Sequence, residues 1–416
     1  MKSKLSIAVI GGHIVECFDV TLYGFLAVQL APLFFPSTEQ HLQTMATFGA
    51  FSAGFLARPL GAFFFGYVGD KVGRKKPLLL SMVLVAIPTL IIGLLPSYDA
   101  IGVFAPVMLI LCRLAQGFFY GGELAGASLY VIENLDKNTI GRYNGRIVSW
   151  GVIGAVIASG LAAIINLECM PSWSWRILFL LGGIAAVVIF FLRRRFLETI
   201  DFKKVQLQKK HKAEFPWRTL LRNHKRVLFL GVLVFGLTVM PLYLTTVYGN
   251  SVFLNVLGYT KSQAMLLNMS AMILTAISIN LFGYLSDKVG FYRILAVGMI
   301  STALVSLPAF NLLNSTTVSL ADIIIFIVSM NIAGSVINGC ISAYIGSFFP
   351  VQCRYSGLAF CMTFGAAILG GTTPNMAQFL KEYFDSILAP GFLLMVLSIL
   401  TLIALIHVSR RNKTYT

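Results

Sequence analysis

Three acid–base side chains recur at regular spacing in the first apolar stretch of the chain. They are His13, Glu16 and Asp19, at i, i+3 and i+6, with Tyr23 four residues further on. On a helix this spacing makes one polar stripe. A charge at the centre of a bilayer costs at least about 2.5–3.5 kcal/mol, so it is kept for a partner, a wet cavity or a task. Carboxylates that titrate inside a membrane are the usual proton carriers, which puts Asp19 first and Glu16 second for that role. His13 titrates near neutral pH and reads as a hydrogen-bonded neighbour more than as a relay. Two arginines, Arg58 and Arg113, also fall inside apolar stretches. A guanidinium can dock a carboxylate through two parallel hydrogen bonds. Arg58, Glu123, His13, Tyr23, Gln116 and Tyr243 therefore form the set of candidate ligand-binding residues. The bland alternative is that two acids and two arginines neutralise one another. Glu123, beside Gly121 and Gly122, reads either as a cavity acid or as a structural partner of Arg58.

The elements that must position these groups follow from composition. The chain has 416 residues, 57% apolar and 12% charged, with a mean hydropathy of +0.83. Soluble domains carry about 25% charged residues, so this chain cannot cover a large core with a water-facing surface. Thirty-three Phe residues exclude disorder. An all-α polytopic membrane protein remains, and at about 20 residues per span the apolar stretches number about twelve. The N-terminal run is expected to be a retained first span. The six cysteines show no CxxC pair and no metal-ligand spacing, so neither a metal nor a cofactor is expected.

The net charge of +16 would suggest nucleic acid in a soluble protein. Here most Lys and Arg fall in alternate loops, as the positive-inside rule places them. That pattern predicts cytoplasmic termini, a cytoplasmic central loop and no nucleic-acid partner. The expected division is a six-helix half at 1–195, a basic linker at 196–226 and a second six-helix half at 227–416. An internal repeat supports it: Gly66-Tyr67-Val68-Gly69-Asp70-Lys71-Val72-Gly73 matches Gly283-Tyr284-Leu285-Ser286-Asp287-Lys288-Val289-Gly290 at the corresponding place in each half. Two such halves, related by an axis along the membrane normal, make a common transporter architecture.

The loop Gly66-x-x-x-Asp70-Lys71-x-Gly73-Arg74-Lys75-Lys76 resembles the signature loop of the major facilitator superfamily. Further motifs narrow the resemblance to its metabolite:proton symporter branch, relatives of proline/betaine, 2-oxoglutarate, citrate and shikimate carriers. These are Glu16-Cys17-Phe18-Asp19, Arg58-Pro59-Leu60-Gly61, Arg113-x-x-Gln116-Gly117, Gly121-Gly122-Glu123, Trp173-Ser174-Trp175-Arg176, Arg193-Arg194-Arg195-Phe196-Leu197-Glu198-Thr199, Phe349-Pro350, Arg354-Tyr355-Ser356-Gly357 and Gly370-Gly371-Thr372-Thr373-Pro374. The resemblance implies twelve transmembrane helices in two pseudo-symmetric halves. It also implies that Asp19 pairs with Arg113 for proton coupling and that Asp70 meets the end of a helix from the other half. Arg74 would meet Glu133 or Asp136, with Asp287 and Arg354 completing the gating set. The sequence departs from the branch at His13, at Cys17 and at Ser347, where an acid commonly precedes Phe-Pro. The last departure puts one ion pair of the second half in doubt.

The expected function is secondary active transport: proton-coupled uptake of a small carboxylate-bearing or zwitterionic metabolite by alternating access. The proton gradient would be the energy source, and the chain a monomer in a bacterial cytoplasmic membrane. An exporter of a small acid, siderophore-like compound or drug is the alternative. An intramembrane enzyme would need a motif such as HExxH or GxSxG, and neither is in the sequence. A sensor would need a signalling domain.

Overall fold

The computed structural model describes residues 2–36, 40–165, 169–195, 198–199, 202, 216–249, 252–253, 257–314 and 318–411. The greater part of the linker expected at 196–226 lies outside the described residues. Among the described residues twelve helices are long and apolar enough to cross a membrane. Spans 1 to 6 are Ala8–Leu26, Gly49–Val72, Lys75–Leu94, Phe104–Asn134, Ile140–Ile165 and Trp175–Arg193. Spans 7 to 12 are Lys225–Tyr248, Gln263–Val289, Phe291–Leu312, Leu320–Ser347, Arg354–Phe384 and Ala389–Arg410. Their lipid faces carry the exposed Leu, Ile, Val and Phe side chains that a water-soluble bundle would bury, among them Leu56, Leu60, Ile157, Phe229, Ile277 and Leu304.

Several spans are not uniform helices, and the interruptions follow the sequence. Span 4 breaks at Gly121–Gly122 into Phe104–Tyr120 and Glu123–Asn134. Span 10 breaks at Gly339–Cys340 into Leu320–Asn338 and Ile341–Ser347. The two breaks fall at corresponding places in the repeat. Spans 7 and 11 each carry one π-helical turn, Leu244–Tyr248 and Ala366–Gly370, and such turns recur at functional sites. Spans 8 and 10 start on reciprocal capping boxes, Thr260 with Gln263 and Ser319 with Asp322, which satisfy two otherwise orphaned backbone donors each.

Within the first six spans, span 1 packs on span 5, span 2 on span 4 and span 3 on span 6; in the last six, span 9 packs on spans 10 and 12, and span 7 on span 11. Most of the contact between the sets runs through span 5 with span 8 and span 2 with span 11. Glycines set both crossings. A Cβ on Gly283 would lie 2.8 Å from the Gly141 carbonyl oxygen, and one on Gly66 would lie 2.8 Å from the Ser356 Cα. Backbones meet there as only small residues permit.

Candidate functional site

The polar stripe of span 1 forms as its spacing requires, and all four members are buried. His13 Nδ1 lies 3.0 Å from Glu16 Oε2. Glu16 Oε1 lies 3.1 Å from Arg58 Nη1 of span 2, and the Arg58 guanidinium also sits 4.7 Å over the Phe55 ring. Phe55 in turn meets Tyr243 of span 7 edge-on at 6.4 Å, so Tyr243 brings the second set of spans to this cluster. Tyr23 is fully buried, stacked beside Phe51, and carries the Arg113 guanidinium 4.4 Å above its ring.

The expected Asp19–Arg113 pair is not what forms. Gln116, three residues after Arg113 on the same face of span 4, stands between them. Its carbonyl accepts from Arg113 Nη1 at 2.9 Å and its amide donates to Asp19 Oδ2 at 2.7 Å. The amide's second proton goes to Thr89 Oγ1 of span 3 at 2.8 Å, and Tyr120 Oη donates to Asp19 at 3.4 Å. Asp19 Oδ1 and Arg113 Nε are buried without a hydrogen-bond partner among the described residues. The sequence points to Gln116 only as a ligand contact, and to Thr89 and Tyr120 not at all. A short side chain on the same helix face intercepts the arginine before it can reach span 1.

Glu123 takes neither expected position. It pairs with Arg193 at the end of span 6 and accepts from Ser81 Oγ at 2.9 Å. Arg193 also donates to the carbonyls of Ala8, Leu78 and Val9, so one guanidinium ties spans 1, 3, 4 and 6 together. Arg58 is already committed to Glu16, and Arg193 is the guanidinium within reach. By its place in the sequence Arg193 counts among the basic loop residues. Its fully buried position depends on contacts 70 to 185 residues away, which no local pattern reveals.

On the side carrying the basic loops, the repeated motif makes two matching contacts. Asp70 accepts from the backbone N–H groups of Tyr355 and Ser356 at 3.0 and 2.9 Å, at the start of span 11. Asp287 accepts from Gly141 and Arg142 at 2.7 and 2.8 Å, at the start of span 5. Each carboxylate caps the positive end of a helix from the other set. Around Asp70 a network grows. Arg74 grips Glu133 with two hydrogen bonds of 3.0 and 2.9 Å, and donates to the carbonyls of Gly69 and Val351 at 2.6 and 2.7 Å. Arg354 approaches Glu133 at 3.6 Å. Asp136, the alternative partner, is exposed; the buried carboxylate wins because the pair then excludes water. Two further residues join that no sequence pattern singles out for this role: Thr199 donates to Glu133 at 2.6 Å, and Glu198 accepts from Arg74 N at 2.8 Å. Burial opposes the Arg74 charge, but Glu133 and Asp70 outweigh it and hold the guanidinium above its ordinary value.

Buried charge at mid-span, and halves that meet through mirrored Asp–helix contacts, define a membrane transporter of two six-span units. The sequence profile of the Major Facilitator Superfamily matches residues 18–374. The chain is 33% identical to the proline/betaine transporter of Salmonella typhimurium, covering 94% of this chain and 80% of that one. It is 31% identical to the citrate-proton symporter of Klebsiella pneumoniae, covering 97% and 91%. The proton:xylose symporter XylE bound to 6-bromo-6-deoxy-D-glucose superposes with a TM-score of 0.75 at 14% identity, covering 97% of this chain and 94% of that one. The chain belongs to the Major Facilitator Superfamily, in its metabolite:proton symporter branch. It is a transporter and not an enzyme.

Proposed function

We propose that the chain takes up a small metabolite bearing a carboxylate, an organic acid or a proline/betaine-like zwitterion, together with a proton. The observation that carries this reading is the mid-span cluster of two buried carboxylates and two guanidiniums, Glu16 paired with Arg58 and Asp19 linked to Arg113 through Gln116. Glu16 is satisfied by Arg58 and His13, whereas Asp19 keeps one oxygen without a partner among the described residues. Asp19 is therefore the proton carrier of this reading, and Arg58 and Arg113 are the groups that receive the substrate carboxylate. Similarity to a proline/betaine transporter and a citrate-proton symporter supports both the substrate chemistry and the coupling.

In the same reading the basic loops face the cytoplasm, where the positive-inside rule places them. The structure is then closed on the cytoplasmic side by the Asp70 and Asp287 contacts. Residues 1–195 and 227–416 rock as two units about the buried charges, in a monomer that draws on the proton gradient without a resident cofactor. Reconstituted vesicles with an imposed pH gradient test this against proline, glycine betaine, citrate, 2-oxoglutarate and shikimate. At least one should accumulate above equilibrium and be released by a protonophore. Extrusion of every transported compound, or uptake indifferent to the gradient, would overturn the reading.

A further inference from the structure

We propose that Gln116 is a spacer that keeps Asp19 and Arg113 from forming a direct ion pair, and that proton coupling depends on that separation. The inference rests on the coupling reading above and assigns its control to a neutral residue. Chemistry fixes the orientation of the amide. A guanidinium only donates and a carboxylate only accepts, so the oxygen must face Arg113 and the nitrogen Asp19, as the 2.9 and 2.7 Å contacts show. Thr89 takes the remaining amide proton at 2.8 Å and passes its own to the Val85 carbonyl at 3.0 Å. Every hydrogen-bonding group that anchors the bridge is thereby used, and the amide is held by spans 1, 3 and 4 at once.

The consequence lies at the two ends. Asp19 Oδ1 and Arg113 Nε have no partner among the described residues, although both side chains belong to residues at least 98% buried. A direct pair would use both groups: Asp19 would hold its charge against protonation, and Arg113 would be closed to a substrate carboxylate. The spacer leaves a proton site and a docking site side by side. Arg113 rests on the Tyr23 ring instead, a weaker hold that a carboxylate can displace. The other charged or titratable groups around Asp19 are Tyr120 from span 4, Arg58 from span 2, and Glu16 and Tyr23 from span 1, with His13 on Glu16. Glu16, Arg58 and His13 are engaged with one another, so the Asp19–Arg113 separation is the adjustable element.

The test uses the full chain in vesicles, comparing wild type with Gln116→Leu and the near-isosteric Gln116→Glu. The readout is the external pH at which uptake is half-maximal, taken beside counterflow. Gln116→Leu lets the pair close, so the midpoint should fall by about one pH unit, within the range a neighbouring charge produces. Gln116→Glu engages Arg113 and sets a second carboxylate beside Asp19, so the midpoint should rise by about as much. Gln116→Asn keeps the amide on a shorter stem and should move the midpoint less than Leu does. Opposite shifts support the spacer. Lowered rates with an unmoved midpoint in Leu and Glu alike would overturn it and leave Gln116 a packing residue. A wild-type chain that shows no gradient-driven accumulation would defeat the coupling reading itself.

Discussion

The two repeated loops begin from nearly the same eight residues and end in different latches. Asp70 and Asp287 make the same contact, two backbone N–H bonds at the start of a helix in the other half. The residues beyond each aspartate differ. After Asp70 come Gly73 and Arg74, and the guanidinium organises Glu133, Arg354, Thr199 and the Val351 carbonyl into one network around its own fully buried side chain. After Asp287 come Gly290 and Phe291, so an aromatic ring stands where the first loop has its arginine. In span 10 Ser347 stands where the family resemblance leads one to expect an acid, and its hydroxyl donates to the Tyr344 carbonyl at 2.7 Å. Asp287 is also half-buried where Asp70 is buried. One latch is an ion network sealed from water; the other is a helix cap open to it. The shared octapeptide sets the contact, and its flanking residues set the strength.

Breaking the stronger latch should have the largest effect. Arg74→Ala leaves Glu133 and Asp70 buried beside an empty place, and breaking a buried pair costs about 3–5 kcal/mol. Arg354 at 3.6 Å from Glu133 compensates part of it. Uptake should fall at least about tenfold while surface labelling shows normal insertion; near-normal uptake would dismiss the latch role. The Arg74 charge, held above its ordinary value, contributes fully below the ordinary value and is lost only as pH rises through the raised one, far into the alkaline range. The Arg74 guanidinium itself thus stays charged between about pH 5 and 8, so any pH dependence of transport in that range comes from other groups, its carboxylate partners included.

Next come the paired substitutions Asp70→Asn and Asp287→Asn. A carboxylate at a helix start contributes from about 0.3 kcal/mol at the surface up to about 2 kcal/mol away from water, and Asp70 is the more buried of the two. The Asp70 change should slow uptake several times more than the Asp287 change, measured as initial rates at matched expression. Equal defects would erase the distinction between a sealed and an open latch. The smallest effect should come from rebuilding the missing network with Phe291→Arg and Ser347→Glu together. A new pair near water is worth about 0.2–1 kcal/mol, so transport should slow by no more than about fivefold. A larger slowing would mean that the second latch is as dry as the first.

The sequence shows these elements unevenly, and the reason is range. The twelve spans, the stripe of His13, Glu16 and Asp19, and the repeated Asp loops are local patterns, readable from spacing and hydropathy. The Arg74–Glu133 pair is accessible only through the family resemblance, since its members lie 59 residues apart. Partner choice among buried charges is not accessible. Glu16, Asp19, Glu123, Arg58, Arg113 and Arg193 offer several neutral pairings, and only packing selects Glu16 with Arg58, Glu123 with Arg193, and Gln116 between the remaining two. Neutral spacers leave no charge pattern to detect. Glu198 and Thr199 belong to the motif that closes span 6, but their partners Arg74 and Glu133 lie in distant parts of the chain and only packing reveals them.

The central claim is that Asp19 carries the coupled proton, and one paired experiment addresses it. Wild type and Asp19→Asn are reconstituted side by side, and gradient-driven accumulation is measured beside counterflow exchange. Asn imitates the protonated carboxyl and cannot release a proton, so the variant should bind and exchange substrate but lose uphill accumulation. A variant that still concentrates substrate against its gradient would contradict the claim, make Asp19 structural and pass the role to Glu16.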